Sequence, residues 1–256
     1  MHSKFVLHFS ASSCIISMCK CIHTRRMNMP KYSILLFDAD QTLLDFKRSE
    51  HEAVSDCLKY YSVPVNDETI NNYSEINSMY WKMLERGEIE KKKLYSARWQ
   101  AFADKYGYSI DAEKISQLYL ESLATKAYVL PGAEEICQKL SKHCRLYIIT
   151  NGNKKVQQGR MGKVALSKYF LDIFISEDIG YEKPDIQYFN AVTSRIPDFD
   201  ASKALVIGDS LTSDIQGGIN AKIDTCWFNP DKKSAPCNMN INYTITDLSE
   251  LEDIVL

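Results

Sequence analysis

The residues best suited to chemistry are two aspartates, Asp38 and Asp40, which directly follow the apolar run at 34–37. Two carboxylates spaced by one residue at the end of a strand can converge on one point if the chain bends there. One can then act as a nucleophile and the other as an acid/base, with a cation reducing their repulsion. An ordinary acidic turn is the alternative, and the Asp-x-Asp-x-Thr pattern alone does not decide between them.

A second pair of aspartates, Asp209 and Asp214, follows the apolar run at 204–207. Carboxylates at this spacing, in a loop that leads into a helix, suit a magnesium site, because Mg²⁺ is a hard cation that prefers oxygen ligands. Asp214 is also well placed to act as a helix N-cap. The two aspartate pairs together predict a Mg²⁺ centre.

Three polar residues in two further segments are candidates for binding an anion. Thr150 and Asn151 follow the apolar run at 146–149, and Lys183 stands directly before a proline. The hydroxyl and the loop amides can hold a phosphate oxygen, and the ammonium can neutralise the anion's charge. Taken singly, these residues also fit an ordinary turn and a surface lysine.

The elements that must position these residues alternate along the chain. Continuous apolar runs, the form of strands buried on both faces, occur five times and are separated by helix-length segments, at 34–37, 146–149, 173–175, 204–207 and 225–228. This order predicts an α/β fold with a Rossmann-like three-layer core and a mainly parallel sheet. The candidate residues follow strands, where open α/β sheets bind ligands.

One long segment interrupts the alternation, because 46–128 contains no buried-strand run and has helical spacing throughout. We therefore predict an inserted helical cap domain at 46–128 and a catalytic core formed by 30–45 and 129–256. Turn signals at 63–64, 86–87 and 106–108 divide the cap. Most of its aromatic residues are expected to pack inside it, and the charged run at 90–93 is expected to be a solvated helix face.

Composition limits the remaining possibilities. The chain has 256 residues, 45% of them hydrophobic and 25% charged, which is typical of a globular protein. Residues 1–29 carry four basic and no acidic side chains, so the remainder of the chain has a net negative charge. A net negative charge does not favour the binding of a nucleic acid polymer. No apolar stretch reaches the roughly 18 residues of a membrane span. We expect 1–29 to be a disordered or non-native leader.

The eight cysteines are widely scattered and match neither a disulfide framework nor zinc-ribbon spacing. This usage predicts a reduced, cytoplasmic protein. We expect it to be a monomer or a weak homodimer that acts on a small molecule.

Along the chain, the four candidate segments follow in the order Asp38 and Asp40, Thr150 and Asn151, Lys183, and Asp209 and Asp214. This order resembles that of the haloacid-dehalogenase-like (HAD) hydrolase superfamily. The resemblance covers the chain from about Lys31 onward, and the cap inserted after the first segment is similar to the helical C1 type. The residues at 84–89, followed by Arg98 and Trp99, resemble the pyrimidine 5′-nucleotidase branch. Gln41 departs from the Gly or Glu that is usual in the family.

The resemblance implies a role for each candidate residue. Asp38 would be the nucleophile that forms an aspartyl-phosphate, and Asp40 the acid/base. Mg²⁺ would be bound by the Asp38 side chain, the Asp40 backbone carbonyl and Asp209, with Asp214 supporting them from behind. The phosphoryl group would be bound by three residues, Thr150, Asn151 and Lys183. Arg98, on a cap helix, is a candidate substrate contact, with a solvated arginine as the alternative.

The expected function is therefore a Mg²⁺-dependent phosphomonoester hydrolase, a 5′-nucleotidase acting on pyrimidine nucleoside monophosphates. A phosphosugar phosphatase or phosphomutase shares the core residues and differs only in its cap. A dehalogenase would normally lack the second carboxylate, so Asp40 argues against it. A non-catalytic binding module is the alternative from another class, although all the acid, hydroxyl and ammonium groups are present.

Overall fold

The computed structural model describes residues 30–256, so the leader expected at 1–29 lies outside the described residues. The strands are β1 Ile34–Phe37, β2 Arg145–Thr150, β3 Phe170–Ile175, β4 Ala204–Gly208, β5 Asp224–Phe228 and β6 Tyr243–Ile245. The α-helices are α1 Phe46–Tyr60, α2 Asp67–Glu85, α3 Lys91–Tyr106, α4 Ala112–Leu123, α5 Ala133–Leu140, α6 Lys154–Met161, α7 Ser176–Ile179, α8 Ile186–Thr193, α9 Gln216–Asn220 and α10 Leu251–Val255.

The six strands form one sheet in the order β3-β2-β1-β4-β5-β6, and every neighbouring pair is parallel. This confirms the predicted α/β fold with a mainly parallel sheet. The five predicted strands correspond to β1 to β5, and the edge strand β6 has no counterpart among the predicted runs. A three-residue strand at an edge needs no continuous apolar run, because only part of it is buried.

Helices cover both faces of the sheet, which gives the three layers. Alternate strand residues such as Leu35 and Ile148 pack with α5 and α10, whereas Leu36 and Val206 pack with α8 on the other face. Helix α9 lies close to the sheet at Gly218, where an added Cβ would stand 2.5 Å from the Thr225 methyl group. The close approach anchors the segment that follows β4, which carries two of the candidate aspartates.

Helices α1 to α4, here called the cap helices, lie between β1 and β2 and share a hydrophobic cluster, to which α6 contributes Val156. The Asp45, Asn66 and Asp111 side chains cap α1, α2 and α4 by accepting a backbone N–H in the first turn. Helix α3 ends at Gly107, whose φ of 72° is left-handed and favours glycine. The helices end at or close to the predicted turns, and the domain limits at 46 and 128 remain a proposal.

None of the described helices is long and apolar enough to cross a membrane. The five cysteines in the described part of the chain are free thiols, and all but Cys237 are buried.

Candidate active site

The candidate residues meet at the carboxyl edge of the sheet because three neighbouring strands end there in register. Phe37, the last residue of β1, pairs with Ile148 of β2 and Ile207 of β4. The next residue of the chain, Asp38, donates its backbone N–H to the Ile207 carbonyl oxygen at 2.8 Å. Asp38 and the loops after β2 and β4 are thereby brought together.

Lys183 lies at the centre of this site, with a side chain only 1% exposed. Its Nζ donates to Asp38 Oδ1 at 2.7 Å, to Asp214 Oδ1 at 2.6 Å and to the Ile149 carbonyl oxygen at 2.9 Å. The ammonium therefore bridges two buried carboxylates, which come from different strand ends. A surface lysine, the alternative considered from sequence, is excluded by this burial.

Asn151 holds Lys183 through backbone contacts. Its Nδ2 donates to the Lys183 carbonyl oxygen, and its Oδ1 accepts from the Lys183 N–H, each at 2.8 Å. The Asn151 amide is thus engaged with the loop that carries the lysine, and in this structure its contacts position that loop.

Thr150 is buried, and its hydroxyl oxygen accepts from the Gly152 N–H at 3.0 Å, which leaves the hydroxyl proton for another acceptor.

The electrostatics of the cluster favour a cation. Burial raises the pKa of Asp38 well above its usual value, Lys183 opposes the rise, and the neighbouring aspartates add to it. Burial together with the Asp214 carboxylate raises the pKa of Asp209 to about 7. Burial alone would lower the pKa of Lys183, but the Asp214 and Asp38 carboxylates outweigh it and raise that pKa.

Three of these carboxylates have the donor set of a metal site. One oxygen from each of Asp38, Asp209 and Asp214 lies within 4.8 Å of the other two. Three carboxylates carry more negative charge than the single ammonium of Lys183 neutralises. A divalent hard cation fits that excess of charge and the all-oxygen donor set.

Asp40 is held by two residues that the sequence reasoning missed. Its Oδ2 accepts from Gln157 Nε2 at 2.6 Å, and its Oδ1 forms an ion pair with Arg160, which is fully buried. Arg160 also donates to the Lys126 carbonyl oxygen, in the segment by which the chain leaves the cap helices. Both residues lie about one turn apart on α6, directly after the Thr150 loop, and no pattern in the sequence points to their contact with Asp40.

A cavity of about 260 Å³ lies between these groups and the cap helices. The core contributes charged and polar side chains, namely Asp40, Thr150, Asn151, Lys183 and Asp209. The cap contributes four aromatic side chains, two leucines and two charged side chains, namely Phe46, Trp81, Tyr95, Tyr119, Leu120, Leu123, Glu85 and Arg98. The core side of the cavity is therefore polar and charged, whereas the cap side combines aromatic rings with the charged side chains of Glu85 and Arg98.

Two hydrogen bonds join α3 of the cap to α7 of the core. Lys91 Nζ donates to Ser176 Oγ at 2.6 Å, and Tyr95 donates to Glu177 Oε1 at 2.6 Å. The prediction that the run at 90–93 is a solvated face is wrong for Lys91, which is 9% exposed. Its position at the start of α3 turns it toward the core, and burial lowers its pKa to about 8.

Arg98 is buried in the cap, so the solvated alternative is wrong. Only 2% of it is exposed, and its Nη1 donates to Asn77 Oδ1 at 2.5 Å.

Gln41, the residue at which the sequence departs from the family pattern, has a left-handed φ of 61°, and its Oε1 accepts from the Lys47 N–H. The Gln41 side chain therefore supports the start of α1.

The chain is similar to one known protein family and to several named relatives. The family model of haloacid dehalogenase-like hydrolases matches residues 35–228. The HAD-hydrolase YfnB of Bacillus subtilis is 38% identical over 89% of this chain and 97% of its own. Its crystal structure, bound to magnesium, has a TM-score of 0.84 and covers 88% of this chain and 98% of that chain.

Two further relatives are named pyrimidine 5′-nucleotidases. PynA of Streptococcus pneumoniae is 36% identical over 87% of this chain and 94% of its own length. YjjG of Escherichia coli is 30% identical over 88% of this chain and 98% of its own.

Proposed function

Because the chain belongs to the haloacid dehalogenase-like hydrolase family, we propose that it hydrolyses phosphomonoesters through an aspartyl-phosphate on Asp38. The observation that carries this proposal is the contact of 2.7 Å between Lys183 Nζ and Asp38 Oδ1. It places a cation beside the nucleophile, in a cavity that Asp40 also lines. A binding module would have no need of a nucleophile, an acid/base and an ammonium at one point.

In the first step, Asp38 attacks phosphorus through a carboxylate oxygen as the bond from phosphorus to the leaving oxygen breaks. Asp40 donates a proton to the leaving oxygen, so that the product departs as a neutral alcohol. In the second step, Asp40 takes a proton from water as that water attacks the phosphorus. Phosphate is released and the Asp38 carboxylate is restored.

Lys183 stabilises the negative charge on the transferring phosphoryl oxygens, and the Thr150 hydroxyl donates a hydrogen bond to one of them. Arg160 and Gln157 hold the Asp40 carboxylate by its two oxygens and so fix its direction in the cavity. Asn151 fixes the loop that carries Lys183. Orientation by such contacts reduces the entropy lost when substrate and catalytic groups meet.

We propose Mg²⁺ as the cofactor, bound by the Asp38 side chain, the Asp40 backbone carbonyl and Asp209, with Asp214 supporting this set. The carboxylate cluster described above fits such an ion. When bound, Mg²⁺ neutralises charge on the phosphoryl group and lowers its repulsion of the nucleophile. Magnesium in the crystal structure of the relative YfnB supports this assignment.

For the substrate, we propose pyrimidine nucleoside 5′-monophosphates. Because the core groups would bind the phosphoryl end of the substrate, we expect selectivity to come from the cap side of the cavity, where Trp81 and Tyr95 offer aromatic rings. Stacking of a base on an aromatic side chain contributes about 1–3 kcal/mol. The two relatives named pyrimidine 5′-nucleotidases support the same choice.

The test compares kcat/KM for UMP and glucose 6-phosphate at saturating Mg²⁺. We expect UMP to be favoured by about tenfold to a hundredfold, because that is what a stacking contribution gives if it is kept in the transition state. Trp81→Leu should reduce this preference, whereas Tyr80→Leu, at a neighbouring position outside the cavity lining, should preserve it. Equal values for the two substrates would reject a nucleotidase and leave a phosphatase, whereas no hydrolysis of any phosphomonoester would reject both.

A further inference from the structure

The carboxyl end of α2 brings an acidic side chain to the cavity. Glu85 is the last residue of α2 and lines the cavity together with Trp81, which lies about one turn earlier on the same face of the helix. Glu85 Oε2 accepts a hydrogen bond of 2.7 Å from Thr212 Oγ1, in the segment that follows β4. This contact joins the cap to the core and orients the Glu85 carboxylate.

The second oxygen of this carboxylate is open to a ligand. Glu85 Oε1 has no hydrogen-bond partner among residues 30–256, yet it is not one of the buried atoms of that part of the chain that lack a partner. The oxygen therefore keeps solvent-accessible surface, on a half-buried side chain that lines the cavity.

Folding alone does not favour a carboxylate at this position. The C-terminal end of a helix carries a partial negative charge, which disfavours an acidic side chain there. Within residues 30–256, the only side-chain hydrogen bond to Glu85 comes from the neutral Thr212 hydroxyl. Burial raises the pKa of Glu85, and the nearby Asp214 carboxylate adds to that rise. A binding site can keep such a group because the ligand supplies the missing donor.

The chemistry and the position of Glu85 indicate what the ligand offers. A carboxylate accepts hydrogen bonds and donates none, so its partner must be a donor. In the proposed substrate the base lies beside Trp81, the phosphoryl group lies beside Lys183, and the sugar connects the two. Glu85 is displaced from Trp81 by about 6 Å along the axis of α2, toward the end of the helix that contacts the core. The donors of a nucleotide in this intermediate position are the sugar hydroxyl groups.

We propose that Glu85 Oε1 accepts a hydrogen bond from a sugar hydroxyl group of the leaving group. Glu85 then selects phosphomonoesters whose leaving group carries a hydroxyl at this position. The same carboxylate disfavours a substrate with a second phosphate group on that part of the sugar, because like charges repel. This inference rests on the proposed function, and it adds a residue by which the site selects the sugar.

The experiment changes the carboxylate and reads the effect on substrates that differ only at the sugar. Glu85→Ala deletes the acceptor, and Glu85→Gln removes the charge while keeping the shape. Glu88→Ala is the matched control, because Glu88 lies in the same loop, forms an ion pair with Arg86 and does not line the cavity.

Each variant is assayed at pH 8 with saturating Mg²⁺, and its melting temperature is measured. The substrates are UMP, 2′,3′-dideoxyuridine 5′-monophosphate, which has neither hydroxyl, and uridine 3′,5′-bisphosphate, for which release of the 5′ phosphate is followed. The pH is chosen to keep the Glu85 carboxylate charged.

For Glu85→Ala we expect kcat/KM for UMP to fall by about tenfold to a hundredfold, the range of a hydrogen bond to a charged group. The value for the dideoxy substrate should stay within about twofold, because that substrate has no hydroxyl to lose. For Glu85→Gln we expect the value for the bisphosphate to rise by about fivefold or more, because a repelling charge is removed. Glu88→Ala should change none of these values.

Equal losses on UMP and on the dideoxy substrate would assign Glu85 a structural role and overturn the proposal, leaving the nucleotidase function intact. A bisphosphate value that does not rise in Glu85→Gln would also overturn it, because the carboxylate would then not face the sugar. A structural role cannot produce a gain on one substrate alone. If the wild type hydrolyses UMP no better than glucose 6-phosphate, the nucleotidase function fails, and this inference fails with it.

Discussion

Replacing Lys183 by methionine tests the buried centre of the site. The substitution keeps an unbranched side chain but removes the cation that donates to Asp38 at 2.7 Å and to Asp214 at 2.6 Å. Removing one partner of a buried ion pair costs about 3–5 kcal/mol of unfolding free energy, because it leaves an uncompensated charge. Here one cation serves two carboxylates, so we expect a loss near the upper end of that range.

The assay is urea unfolding at neutral pH with EDTA present, so that no divalent ion bridges the carboxylates. Lys154→Met is the control, because Lys154 forms an ion pair at 2.6 Å with Asp178 on the surface. Exposed pairs contribute about 0–1 kcal/mol, and the control should change stability by no more than that. Adding Asp214→Asn to Lys183→Met should recover part of the loss. A loss below about 1 kcal/mol for Lys183→Met would refute the reasoning, because it would mean that the ammonium compensates no buried charge.

Three further predictions concern neighbouring residues. Arg160→Met should lower kcat for UMP by about tenfold or more, because Asp40 loses its ion pair and general acid/base catalysis depends on the orientation of the Asp40 carboxylate. An unchanged kcat would contradict this prediction. Mg²⁺ affinity, measured by calorimetry, should fall as the pH drops through about 7, since Mg²⁺ binds the deprotonated carboxylate of Asp209; an affinity that does not change between about pH 8 and pH 6 would contradict a raised pKa of Asp209. Gly218→Ala should cost about 1–3 kcal/mol in urea unfolding, because its Cβ would meet the Thr225 methyl group at 2.5 Å; a stability equal to wild type would show that the sheet yields at this point.

The sequence predicts the parts of the site that follow buried strands. Asp38 and Thr150 come directly after an apolar run and Asp209 one residue further on, and parallel strands bring their carboxyl ends to one edge. Their approach to each other therefore follows from the topology alone. The roles assigned to these residues in the reaction remain proposals that the experiments above address.

Residues that reach the site from helices were harder to predict. Lys91 stands in a charged run and looked solvated, but the packing of α3 against the core buries it beside Ser176. Arg160 and Gln157, on the helix that follows β2, contact Asp40 in the loop that follows β1. Such contacts depend on how separate elements are placed in three dimensions, which periodicity along one element does not encode.

Asn151 shows a similar limit at the level of a single side chain. Its place after β2 predicts a phosphate ligand, and that role stays a prediction; the structure adds that both ends of its side-chain amide bond the backbone of Lys183. Two residues 32 positions apart in sequence form this contact, so no local pattern announces it. The residue type and its place after a strand indicated that Asn151 belongs to the site, but its hydrogen-bond partner, the Lys183 backbone, could not be predicted.

The most direct test of the account is the Mg²⁺-dependent hydrolysis of UMP by the wild type and by Asp38→Asn. The substitution preserves the shape of the side chain and removes the nucleophilic charge, and Asp172→Asn, at an exposed position of β3, is the control. We predict that kcat of Asp38→Asn falls by about a thousandfold or more, as expected when a group that forms a covalent intermediate is lost. Activity within about tenfold of the wild type would contradict an aspartyl-phosphate on Asp38.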